Sequence, residues 1–150
     1  MEDVVWYRKP LLSEPVAILA FEGWSDAGNT ATGCIENISC TYDVEPFAEL
    51  DSDSFYNYQM RRPIVEVKDF GEREFHWPQT SFYSIEDYKL KKDLILVFGE
   101  EPSMRWKEYA KNIKDVLGKH VFRRLQGVTM GGSPSPAKAG WYYRSLESRF

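Results

Sequence analysis

The chain has 150 residues, 43% of them hydrophobic, and a formal net charge of -4. That length fits one ordinary domain, and that apolar content excludes a disordered chain. The mildly acidic balance argues against nucleic acid as the main partner, and no apolar run approaches the roughly 20 residues of a membrane-spanning helix.

The N-terminus, MEDVVWYRKP, lacks the apolar core of a secretion signal, so a cytoplasmic protein is expected. Pro15 to Phe21 is a continuous apolar run of strand length, the pattern of a strand buried on both faces of a parallel sheet. A turn rich in Gly and acid follows. Asn29 to Cys40 then places Ala31, Cys34, Ile35 and Ile38 on one helical face, with Ser25 or Asp26 as N-cap. Pro46 to Leu50 is short and strand-like, and Asp51-Ser52-Asp53 is an acidic turn. Ile64 to Val67 and Arg73 to Trp77 flank Gly71 and predict a β-hairpin. DLILVF, Asp93 to Phe98, is a second continuous apolar strand. It ends in Gly99-Glu100-Glu101-Pro102-Ser103, and a helix from about Met104 to Leu117 follows, with Trp106, Tyr109, Ile113, Val116 and Leu117 as its apolar face and Gly118 as C-cap.

The strand–loop–helix unit thus occurs twice, each time with a loop of Gly and acidic residues at the carboxyl end of the strand. In open α/β sheets that edge meets ligands and partners. The expected class is α/β with a mixed or mostly parallel central sheet. Val121 to Gly132 supplies a further strand candidate. Residues 1–132 read as one α/β domain and 133–150 as a loop-like tail rich in Pro, Gly and Ser.

The chemistry is modest. The turn from Glu22 to Gly28 lacks a Walker lysine and GxGxxG spacing, so it carries no nucleotide motif. Gly23 and Gly28 read as turn residues and Asp26 as a helix cap. Glu100 and Glu101 are adjacent carboxylates that a loop would splay apart, with Glu101 a candidate partner for Arg105. Arg61-Arg62-Pro63 follows Phe55-Tyr56-Asn57-Tyr58-Gln59, an aromatic and basic cluster suited to gripping a carboxylate or phosphate. His76 and His120 have no third ligand near them in sequence, and Cys34 and Cys40 fall on different helical faces, so neither a metal site nor a disulfide is expected. No G-x-S-x-G elbow is present.

Four separated stretches together resemble the PAC2 family in its bacterial, actinobacterial-type form. They are Ala20-Phe21-Glu22-Gly23-Trp24-Ser25-Asp26-Ala27-Gly28, Phe55 to Pro63, Trp77-Pro78, and Gly99-Glu100-Glu101-Pro102-Ser103-Met104-Arg105-Trp106. The resemblance covers residues 1 to about 118. It implies a three-layer α/β/α domain of the phosphorylase/hydrolase-like kind. Eukaryotic and archaeal relatives are proteasome assembly chaperones that work as dimers or larger oligomers without catalysis. Bacterial relatives are nearly twice this length and carry a later His-Thr-Arg-Pro type motif that 133–150 lacks, which implies a shortened relative with an incomplete sheet.

The expected function is therefore a non-enzymatic assembly or scaffolding protein. Its expected partners are proteins, proteasome subunits among them, and further copies of itself. No catalytic residue, metal or cofactor is expected. The expected surface comprises Glu22, Gly23, Trp24, Asp26, Gly28, Arg62, Pro63, Trp77, Glu101, Pro102, Arg105 and Trp106, with Trp24, Arg62, Glu101 and Arg105 grouped in one pocket. The alternatives are an enzyme acting on a carboxylate or nucleotide, of the ATP-dependent carboxylate-amine ligase kind that some bacterial relatives are thought to be, and a partial domain without independent function.

Overall fold

The computed structural model describes residues 3–23, 26–87 and 89–120, together with the backbone of 128–129. Its strands are β1 (Val4–Trp6), β2 (Val16–Glu22), β3 (Pro46–Leu50), β4 (Ile64–Val67), β5 (Arg73–His76), β6 (Thr80–Ile85), β7 (Leu94–Glu100) and β8 (Val128–Thr129). Its helices are α1 (Thr30–Tyr42), the single turn α2 (Ser52–Phe55) and α3 (Trp106–His120).

Six strands form one mixed sheet in the order β1-β3-β6-β7-β2-β8. The two continuous apolar runs, β2 and β7, lie side by side and parallel, with Val16 opposite Leu94 and Glu22 opposite Glu100. β8 extends the parallel part on the far side of β2. The other half, β1, β3, β6 and β7, is antiparallel throughout. β4 and β5 form a separate two-stranded hairpin.

Strand alternation divides the apolar side chains between two faces. Ala17, Ile95 and Val97 join Phe47, Phe82 and the α3 residues Tyr109, Ile113, Val116 and Leu117 in one core. Ala20 and Leu96 join Ala31 and Ile35 of α1 in the other. Among the described residues one helix therefore covers each face of the sheet, which is the three-layer α/β/α architecture.

Several local expectations need correction. Cys34 is exposed, and Thr32 takes the buried place beside Ala31 and Ile35. Trp106 is 56% exposed, because it stands at the first turn of α3, ahead of the sheet that buries Tyr109. Gly118 lies inside α3, which runs on to His120. The acidic turn at 51–53 winds into α2. β1 and β6 had no counterpart in the sequence reading. The tail 133–150 lies outside the described residues.

Candidate functional site

Parallel pairing of β2 and β7 brings both of their carboxyl ends to one edge. There the register sets Glu22 beside Glu100, and Glu101 donates its backbone N–H to the Glu22 carbonyl at 3.0 Å. Gly23 lies directly against Glu101. A Cβ built on Gly23 would overlap the Glu101 carboxylate, so this position leaves no room for a side chain unless Glu101 moves.

The guanidinium that reaches this edge belongs to Arg61. It lies 3.3 Å from the Glu100 carboxylate. Arg62 is exposed and its neighbour Pro63 half-buried. Burial pushes the Glu100 carboxyl above its ordinary range; Arg61 opposes that rise and Glu22 adds to it.

A buried polar network supports the edge from beneath. Thr80 Oγ1 lies 2.8 Å from the Tyr56 hydroxyl and 2.7 Å from the Tyr109 hydroxyl. Both phenols donate to the Glu100 backbone carbonyl, at 2.8 and 3.2 Å. Burial raises both phenols above the usual range, so they stay protonated donors. Gly99 lets the chains approach here: a Cβ on it would overlap the Gln79 carbonyl and Thr80. The network joins the residue that ends α2 to β6, β7 and α3, and it fixes the peptide from which Glu100 and Glu101 project.

The other expected site residues make contacts of their own, and Asp26 adjoins the edge, its backbone N–H donating to the Gly23 carbonyl at 3.2 Å. Asp26 is buried and accepts hydrogen bonds from the Ala31 N–H at 2.9 Å and from the Thr32 hydroxyl, which ties it to the first turn of α1. Gly28 is exposed with φ +64°. Pro102 is buried. Trp77 is half-exposed and packs edge-to-face on Tyr58 at 4.8 Å. Arg105 grips Asp3 with both terminal nitrogens, at 3.1 and 3.2 Å. Ser54 and Asn112 donate to the same carboxylate, and this set of donors, Arg105 foremost, holds Asp3 below the usual range. Trp24 lies outside the described residues.

The structure thus brings Glu22, Gly23 and Glu101 of the expected set to one edge. It adds Arg61 and Glu100, which the sequence singles out as motifs but which lie outside the expected surface set, together with Tyr56, Thr80 and Tyr109. This edge is suited to accepting hydrogen bonds or a cationic group. The cysteines are on α1 and His76 is on the hairpin.

A model of the PAC2 family matches residues 20–143. Among solved structures, a PAC2 family protein from Streptomyces avermitilis is 36% identical, with a TM-score of 0.62 over 70% of this chain and 45% of the other. A Mycobacterium tuberculosis proteasome-assembly chaperone homologue is 32% identical, with a TM-score of 0.61 over 69% of this chain and 44% of the other. A Mycobacterium tuberculosis protein of unknown function shares the fold at 24% identity and a TM-score of 0.69, over 83% of this chain and 44% of the other. The match therefore spans less than half the length of each of these relatives. No curated protein matches the sequence. The family match over residues 20–143 and the two structural relatives above 30% identity make this chain a member of the PAC2 family.

Proposed function

We propose that this chain is a non-catalytic PAC2 protein that binds other proteins, proteasome subunits among them, and associates with copies of itself. The observation that carries this reading is the β4–β5 hairpin, in which every residue of both strands is exposed. Opposed residues of an antiparallel pair share a face. Val65 pairs with Phe75 and Val67 with Arg73, so one face of the hairpin presents Val65, Val67 and Phe75 together. These three are 45, 66 and 57% exposed, and Phe70 at the turn is fully so. An exposed apolar face of this kind supports docking on another protein. The chaperone-homologue relative supports proteasome subunits as the partner class.

The test is co-purification of the full chain with isolated actinobacterial proteasome subunits, alongside light scattering of the chain alone. A stable complex that the Val65→Ser/Phe75→Ser variant loses supports the reading. A monomer with no affinity for the subunits overturns it.

The raised Glu100 carboxyl favours one competing reading, a ligase-type or other small-molecule enzyme. A ligand at 100 times its Kd adds about 2.7 kcal/mol of stability to the native state. A thermal melt unchanged by millimolar ATP-Mg counts against that reading.

A further inference from the structure

We propose that the opposite face of the same hairpin is a binding site for a divalent transition-metal ion, with Glu66, Glu74 and His76 as ligands. Glu66 stands directly across from Glu74, and His76 follows Glu74 two residues later on the same strand. Alternation therefore sends all three side chains to one face, away from Val65, Val67 and Phe75. One ligand atom from each lies within 4.8 Å of the others, and His76 Nε2 is 3.2 Å from Glu66 Oε2.

These spacings fit a metal polyhedron. Ligand bonds of about 2.0–2.2 Å put adjacent donors of a tetrahedron about 3.3 Å apart. The His76–Glu66 pair already has that separation. Glu74 reaches it by rotation of an exposed side chain.

Two carboxylates placed directly opposite each other across strands repel, and a bound cation removes that cost. At present the Lys68 ammonium contacts Glu74 and performs part of this role. Lys68 is thus the competitor that a metal must displace.

The donor set indicates the class of ion. One imidazole with two carboxylates suits zinc and its first-row neighbours; calcium and magnesium prefer oxygen alone. Three protein ligands leave a further position open to water or to a group from a partner. The hairpin is fully exposed, so no burial obstructs entry.

The experiment is a calorimetric titration of zinc chloride into the metal-free full chain carrying Cys34→Ser and Cys40→Ser, which removes both exposed thiols. Emission from Trp77, next to His76, is a second readout. One equivalent is expected to bind. His76→Ala and Glu66→Gln should each weaken binding by about tenfold or more. His120→Gln should leave it unchanged, and Lys68→Met should tighten it. Circular dichroism melts of the variants exclude misfolding. Three results each overturn the assignment: no binding, binding that survives His76→Ala, or equal competition by magnesium.

Discussion

Arg61 holds the half-buried Glu100 carboxylate at 3.3 Å, while Glu22 faces Glu100 from the adjacent parallel strand. Desolvation raises the Glu100 carboxyl from its ordinary value of 4.5, and Arg61 is the group that limits the rise. Between pH 4.5 and the raised folded value, the native state binds more protons than the unfolded chain. Stability therefore falls as pH rises through that window. Arg61→Ala should extend the window upward, and Glu100→Gln should flatten this part of the profile. Urea unfolding between pH 4 and 8 measures both. A wild-type profile that rises throughout this range, with no change in Glu100→Gln, removes the assigned role of Glu100.

Asp3 behaves in the opposite sense. Its carboxylate accepts from Arg105, Ser54 and Asn112, and so joins the start of β1 to α2 and α3. Its folded value lies below 3.8, so its contribution is present above that pH and is lost as pH falls through the folded value. Asp3→Ala should cost about 1–3 kcal/mol at neutral pH, the range for a charged group whose hydrogen-bond partners are left behind. The gap between variant and wild type should close towards pH 2. A constant gap across that range would assign the loss to packing rather than charge.

How much of this was legible in the sequence depends on the residue. β2 and β7 were readable because a parallel strand covered on both faces needs no polar position, and Val16 to Phe21 and Leu94 to Phe98 contain none. The hairpin was readable from Gly71, whose φ of +79° the turn requires. β6 was not, because Thr80, Ser81 and Ser84 look like loop residues. All three are buried, and tertiary hydrogen bonds to Tyr109, Glu49 and Arg8 satisfy their hydroxyls. Arg61 was indistinguishable from Arg62, since a loop has no periodicity to say which of two adjacent arginines turns inward. Glu66, Glu74 and His76 were invisible as a group because only strand register unites them.

The Thr80 network carries a prediction of its own. Thr80→Val keeps the shape and deletes the hydroxyl between Tyr56 and Tyr109, which donates to one of them while both phenols donate to the Glu100 carbonyl. The two phenols retain the Glu100 carbonyl as acceptor, so the cost should be about 1–3 kcal/mol rather than loss of the fold. Tyr56→Phe removes one donor to that carbonyl and should cost a similar amount. The two sites share partners, so the double variant should cost less than the sum of the singles. Strict additivity in chemical denaturation would show that the three hydroxyls do not act as one unit.

Gly99 and Gly23 face different obstacles, and alanine distinguishes them. At Gly99 the new methyl group meets the Gln79 carbonyl and the Thr80 backbone, which two paired strands hold in place. Overpacking against fixed backbone costs about 1–3 kcal/mol and occasionally more. Gly99→Ala should reach the upper end of that range, because the strain falls on the β6–β7 register itself. At Gly23 the nearest atoms all belong to the Glu101 side chain rather than to paired backbone. Gly23→Ala should therefore cost less than Gly99→Ala. It should nevertheless shift the Glu101 carboxylate away from the Glu22–Glu100 edge. If that edge contributes to partner binding, Gly23→Ala weakens the complex while the chain remains folded. Equal destabilisation by the two substitutions would mean that Glu101 is held as firmly as backbone, and the edge would then be a structural joint rather than an adjustable surface.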